Sequence, residues 1–200
     1  MVMSLFPPGC LAGLLLMATC VPAAELPRAD VMQLDSRRSS AAFSVKVLWM
    51  IPVEGQFGNV RGEVVVDRFR SQARVDAWID ADGVTMHRTG YEIWVKSAEF
   101  FDVEHHPEIH FQSESFPLSR LRLGGDLPGS LTMRGIKQPV LFQLLPSACE
   151  RLAIDCPVEA SGTVRRSEFG MRTRRTTLSD KVELSFSIRM LEAGENAPQE

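Results

Sequence analysis

After Glu25 the dominant hydrophobic period of this chain is two, not 3.6. Near the C-terminus Val182, Leu184, Phe186, Ile188 and Met190 alternate with Lys181, Glu183, Ser185, Ser187 and Arg189. Successive side chains of a strand point to opposite faces, so this pattern marks a strand with one dry and one wet face. The same alternation sets Phe43, Val45 and Val47 against Ser44 and Lys46, and Val75, Ala77 and Ile79 against Arg74, Asp76 and Asp80. It recurs at Ile109 and Phe111, at Val158, Ala160, Gly162 and Val164, and at Val64 and Val66, where Val65 breaks it. Further strands are expected at 31–35, 120–133 and 140–145. Turn signals fall at Glu54-Gly55, Gly58-Asn59, Ala81-Asp82-Gly83, Gly124-Gly125-Asp126 and Pro128-Gly129. Helix is expected over His87–Phe101, with a short one at Arg166–Met171. No glycine-rich phosphate loop and no parallel strand–helix–strand rhythm is present. About eight antiparallel strands, each wet on one face, pack as a sandwich or a closed barrel, and closure removes exposed edges. The fold class is all-β.

The charges divide the chain. The 22 Lys and Arg and the 25 Asp and Glu all lie at or beyond Glu25. Before them, Cys10–Val21 is an apolar run whose helix would span about 18 Å, well short of a bilayer core of roughly 30 Å. Such a run, followed by Val21-Pro22-Ala23-Ala24, has the form of an export signal cleaved after Ala23 or Ala24. The rivals are an uncleaved anchor, since no Lys or Arg precedes the run, and lipidation at Cys20, to which Met17-Ala18-Thr19 is a poor match. Residues 1–24 are therefore expected to be removed, leaving 25–200 as the domain and 193–200 as a tail. A net charge of −3 argues against nucleic acid as a partner.

Loss of the leader leaves two cysteines, Cys149 and Cys156. An oxidising compartment lets them pair across the eight-residue segment CERLAIDC, and a loop of that size is worth roughly 2.5 kcal/mol in the chain-entropy model. Six residues intervene, so the pair is not a CxxC redox motif, and no histidine is near enough to make it a metal site. It is read as a staple across a hairpin.

An eight-stranded barrel is either just filled by its own side chains or wide enough for one guest. Periodicity leaves both open, because every barrel has an apolar lining. Several segments, in order, resemble the YceI-like family of lipocalin-like, polyisoprenoid-binding periplasmic proteins: LDSRRSSAAFSVKV (Leu34–Val47), FGNVRGEVVVD (Phe57–Asp67), KSAEFFDVEHHPEIHFQS (Lys96–Ser113), GSLTMRGIKQPVLF (Gly129–Phe142), SGTVRRSEFGM (Ser161–Met171) and LSDKVELSF (Leu178–Phe186). The resemblance spans Val31 to Leu191. It implies an extended lipocalin-like barrel in the periplasm, holding a long isoprenoid or fatty chain in a central channel without covalent chemistry. It brings no catalytic residue and no cofactor beyond the lipid. The inward positions expected to line the channel are Phe43, Val45, Val47, Val64, Val66, Val75, Ala77, Ile79, Ile109, Phe111, Leu184, Phe186 and Ile188. GVTMHRTGYEIWVKS (Gly83–Ser97) and the CERLAIDC loop depart from the family's usual pattern. The second reading is a ligand-free interaction barrel serving a membrane redox or envelope-stress partner, with a homodimer as a further expectation.

Two clusters invite sharper chemistry. Glu104, His105, His106, Glu108 and His110 resemble a zinc donor set, but Pro107 interrupts the register and Ile109 and Phe111 put His110 on the wet side. They are read as loop and surface residues, with no metal. Arg165, Arg166, Arg172, Arg174 and Arg175 form the dense basic stretch, and Arg172 and Arg174 are the candidate contacts for a phosphate head group at the barrel mouth. No GxSxG or other diagnostic nucleophile spacing occurs, so the chain is read as a binding protein.

Overall fold

The structure, a computed structural model, describes residues 29–192. The expected export signal at 1–24 and the expected tail at 193–200 lie outside the described residues. Twelve segments form one antiparallel sheet: β1 (Asp30–Gln33), β2 (Ser40–Val47), β3 (Ile51–Phe57), β4 (Val60–Asp67), β5 (Gln72–Asp80), β6 (Val84–Met86), β7 (Glu108–Ser113), β8 (Phe116–Pro117), β9 (Gly125–Met133), β10 (Ile136–Leu144), β11 (Val158–Arg165) and β12 (Leu178–Ile188). They pair in the order β1-β4-β5-β7-β9-β10-β11-β12-β2-β3-β6, with β8 on β5.

The sheet curls back on itself through chain continuity. β3 and β4 sit near opposite ends of that order, yet only Gly58-Asn59 separates them in sequence. The stretch 51–67 therefore runs along β6 and β5 on one side and along β2 and β1 on the other. Leu34, just past β1, bridges Met190, just past β12, and brings β1 beside the final strand. Long strands are interrupted at 35–39, 58–59, 81–83 and 114–115, so the twelve segments occupy eight positions around the curl. The expected all-β, lipocalin-like barrel architecture is what forms.

Two of the turn signals are strand interior instead. Gly55 lies within β3 and Gly129 within β9. Each glycine vacates space that a neighbouring ring occupies: a Cβ on Gly55 would stand 2.4 Å from Phe43 Cε1, and one on Gly129 would stand 2.7 Å from Phe111 Cε2. Gly162 in β11 does the same for Phe142, at 2.3 Å from Cδ1. Glycine inside a strand commonly marks such a close approach, whereas composition alone suggests a turn. The helix expected over His87–Phe101 is shorter, α1 (Thr89–Lys96), because Ser97 turns extended and its hydroxyl bonds the Trp94 carbonyl at 2.7 Å. The strand expected from 120 begins as a single helical turn, α2 (Arg120–Leu123), and Gly124 at φ 76° redirects the chain into β9. A 3-10 turn occupies Arg166–Phe169.

The barrel has two different ends. At one, loops 35–39 and 145–157 converge on the residues just past β12. Ala153 accepts a hydrogen bond from Met190 N at 2.7 Å, and Ile154 accepts one from Arg189 Nη1 at 2.8 Å. Cys149 and Cys156 are bonded within this loop, with Cα atoms 6.4 Å apart. At the other end lie the β2–β3 hairpin tip, the long 81–107 connection carrying α1, and the 166–177 loop. Replacing both Cys149 and Cys156 by Ser is expected to lower the unfolding free energy by about 2.5 kcal/mol. Urea titration with and without reductant checks this: reductant should destabilise the parent by the same amount and leave the double variant unmoved.

Candidate binding cavity

The inward stripe of the final strand is half-buried rather than buried, although its register points it into the barrel. The reason is a void. A cavity of about 630 Å³ occupies the half of the barrel nearest the hairpin tip and α1, lined by Val182, Leu184 and Phe186 of β12 among others. β2 contributes Phe43, Val45 and Val47 to its wall, and β3 contributes Val53 and Phe57. Toward the disulfide end the interior closes. Phe142 stands between Phe111 and Phe186, with ring centroids 5.1 and 5.0 Å away, and the space beyond these rings is only about 70 Å³. Edge-to-face rings at such spacing pack with favourable quadrupole geometry and leave little room between them.

The open half is roofed by the 81–107 connection. Trp94 and Val95 of α1 and the following Phe100 and Phe101 face the cavity. Phe101 packs against Phe43 and Phe57, at 5.7 and 5.4 Å between centroids, and Trp94 against Phe100 at 4.3 Å. Polar groups hold this roof from outside. Arg134 donates to the carbonyls of Ala98, at 2.8 Å, and Phe100. Glu92 accepts the Met86 amide at 2.8 Å. The His105 imidazole meets the Asp102 carboxylate at 2.9 Å; that hydrogen bond raises the His105 pKa and lowers that of Asp102. The ion pair is therefore fully formed between those two pKa values, and is lost as pH rises through the first or falls through the second.

The mouth is basic. Arg88 and Arg174 line the cavity rim, and Arg174 lies 4.7 Å above the Trp94 ring while pairing with Glu99 at 3.7 Å. Arg166 is buried beneath them, donating from Nε to Ser179 O at 2.9 Å, from Nη1 to Met171 O at 2.7 Å and from Nη2 to Leu178 O at 3.3 Å. Burial pulls its pKa down, and the nearby Asp180 charge opposes that shift. Each guanidinium nitrogen thus has a carbonyl partner, and Arg166 ties the 166–178 loop to the wall.

The expected lining residues divide between the two regions. Phe43, Val45, Val47, Ile79, Ile109, Leu184 and Phe186 line the large cavity. Val64, Val75, Ala77, Phe111 and Ile188 line the small void, and Val66 is core beside neither. Arg174 reaches the rim, whereas Arg172 is exposed on the same loop outside the lining. Sequence alternation missed Phe57, Trp94, Phe100, Phe101 and the rim Arg88. The FFDVE run at Phe100–Glu104 was visible, but its rings sit on a loop where no period announces which way they point. The histidine cluster does not converge. His110 stacks on Trp78 at 4.5 Å and meets Asp76 at 2.5 Å on the outer face, and among the described residues no three His, Cys, Asp or Glu are placed to hold a metal.

Residues 32–190 match the family model of the YceI-like domain. The chain belongs to that family. Two curated relatives, UPF0312 proteins of Pectobacterium carotovorum and Pectobacterium atrosepticum, are each 25% identical to this YceI-like chain over 153 residues, covering 73% of it and 77% of their own length. Among solved structures, Burkholderia cenocepacia BcnA superposes with a TM-score of 0.64 at 20% identity, over 78% of this chain and 98% of that one. A polyisoprenoid binding domain from Saccharophagus degradans gives 0.57 at 10% identity, over 80% and 97%. The Campylobacter jejuni YceI protein gives 0.53 at 17%, over 70% and 85%. These likenesses carry the fold.

Phe186 lines both the cavity and the small void, so its ring is part of the floor between them. Phe186→Ala is expected to join the two spaces at a cost of about 3 kcal/mol in stability. Urea unfolding measures the cost. A series of apolar chains of rising length should show the variant retaining longer members than the parent; an unchanged length limit contradicts the floor.

Proposed function

We propose that this YceI-like protein is a non-enzymatic carrier that holds one long apolar chain, isoprenoid or fatty acyl, in the 630 Å³ cavity. The observation that carries this is that the inward stripes do not meet in the open half of the barrel. A void this large lined by aliphatic and aromatic side chains forfeits packing on every wall, and an apolar guest restores it. At about 30 Å³ per heavy atom, the share of a water in the liquid, the cavity seats about twenty carbons, or four isoprene units. Burying them is worth about 16 kcal/mol gross at roughly 0.8 kcal/mol per carbon, much of which is offset by ordering the chain. A longer guest extends through the mouth, where Arg88 and Arg174 suit an anionic head group. The similar fold of the polyisoprenoid binding domain from Saccharophagus degradans supports the same chemistry. The charge-free leader and the disulfide accord with export to the periplasm.

Solvent extraction of the purified protein followed by mass spectrometry tests the proposal. A stoichiometric lipid with an apolar portion of about fifteen to twenty carbons or more is expected. Leu184→Trp, which fills the cavity from its wall, should expel it and lower the affinity for an added isoprenoid alcohol by at least about tenfold. A clean extract together with no uptake of isoprenoid or fatty-acyl probes would falsify the carrier role. Replacing Arg88 and Arg174 by Gln should weaken a polyprenyl phosphate more than the matching alcohol; equal losses remove the head-group assignment.

A further inference from the structure

Among the described residues, six of the twelve exposed large hydrophobics, Leu48–Ile51, Tyr91 and Ile93, gather where the cavity opens. The β2–β3 tip presents Leu48, Trp49, Met50 and Ile51 in succession, exposed by 53, 65, 80 and 55%. Ile93 of α1 is 71% exposed at the same end, beside Tyr91 and Trp94 of the cavity rim. Leu48 and Trp49 both adopt positive φ, 50° and 65°, the conformation for which a two-residue hairpin turn ordinarily selects Asn or Gly. Bulky side chains therefore stand in water at positions where small polar ones fit the backbone better. Phe69, the most exposed hydrophobic residue at the opposite end of the same long strand, stands alone between Arg68 and Arg70, whose charges are paired with Asp30 and Asp67.

Cations flank the tip. From Lys46 to Val53 there is no carboxylate, and the segment Arg172-Thr173-Arg174-Arg175-Thr176-Thr177 carries three arginines and no acid. The amide of Leu48 donates to Thr177 O at 2.7 Å, which fastens the arginine segment against the tip. Of the nearby carboxylates, Glu99 pairs with Arg174 and Glu92 accepts the Met86 amide, while Glu54 stands exposed on β3 past Val53. Val47, Val53 and Thr177 line the cavity a few residues from the exposed tip, so apolar surface runs from the inside of the barrel to its outer rim.

We propose that this end of the protein docks, mouth first, on a lipid bilayer that contains anionic phospholipids. Trp49 and Met50 enter the headgroup–acyl boundary, the depth at which tryptophan is enriched in membrane proteins, and Lys46, Arg172 and Arg175 meet the phosphates. A guest then passes between bilayer and cavity without crossing water. The surface is independent of what fills the cavity, so this proposal and the carrier reading fail on separate measurements.

The test is co-sedimentation of the full chain with vesicles of phosphatidylglycerol and phosphatidylethanolamine, and with vesicles of phosphatidylcholine alone. All variants carry the same leading segment, so the difference between them reads the tip. The parent is expected to bind the anionic vesicles about tenfold more strongly than the neutral ones. The double variant Trp49→Ser, Met50→Ser should lose about tenfold or more on anionic vesicles while taking up an apolar probe in solution as the parent does, and Trp49→Phe should restore much of the binding. Lys46→Gln with Arg175→Gln should lose binding only on the anionic vesicles and flatten its salt dependence. Equal sedimentation of parent and tip variants overturns the proposal. So does a tip variant that converts a dimer to a monomer in analytical ultracentrifugation with vesicle binding unchanged, which would assign the tip to a second copy of the chain.

Discussion

A closed antiparallel sheet holds its walls at a distance set by the number of strands, and side chains must span that distance or leave a hole. Eight strand positions set a spacing that this chain bridges in one half and not in the other. Near the disulfide end Phe111, Phe142 and Phe186 reach one another across the interior, helped by Gly129 and Gly162, which make room for the first two rings. Near the mouth β2 and β12 present the shorter Val45, Val47, Val182 and Leu184 to the hollow, and Phe43 and Phe57 pack against the roof ring Phe101 rather than across the barrel. Ring placement, rather than overall hydrophobicity, decides where the barrel is solid and where it is hollow.

That is also where legibility from sequence stops. Strand identity was readable because alternation is a local property: β2, β5, β7, β11 and β12 form where Phe43–Val47, Val75–Ile79, Ile109–Phe111, Val158–Val164 and Val182–Ile188 alternate. The family followed from segments matched in order along the chain, whereas the pairing order of the strands was not read from the sequence. The division of Val64, Val75 and Ala77 from Val45, Val47 and Leu184 was not readable, since each simply points inward. Which of two inward residues meets a partner depends on what stands opposite across the barrel. Opposition is a product of shear and closure, which no single strand encodes. Glycine misled for a related reason: at Gly55 and Gly129 its value lies in a ring from another strand, and a sequence window sees only the absent side chain.

The roof over the hollow half is built differently from the walls. Strand residues are held by ladders of backbone hydrogen bonds, whereas Phe100 and Phe101 are held by the Arg134 contacts to Ala98 and Phe100, a few turns through Asp102, and the aromatic contacts themselves. Segments with few such ties are the ones that open at low free-energy cost. The ends of the barrel differ accordingly. At the disulfide end, Cys149–Cys156 and the bonds of Ala153 and Ile154 to Met190 and Arg189, just past β12, secure the covering loop.

A cavity closed firmly at one end and roofed by a loop at the other has one economical route for a long flexible guest. Passing through the wall would break ladder hydrogen bonds along two strands, while passing the roof displaces Trp94, Phe100 and Phe101 and little backbone pairing. Arg166 limits even that movement, because its three carbonyl partners keep the 166–178 side of the mouth in place while the α1 side is free of such a buried anchor. If the protein carries a guest as proposed, opening would fall on α1 and the segment after it. This motion would widen the mouth toward Tyr91, Ile93 and the Leu48–Ile51 tip, so the apolar surface outside the cavity lies along the path a guest would take when it leaves.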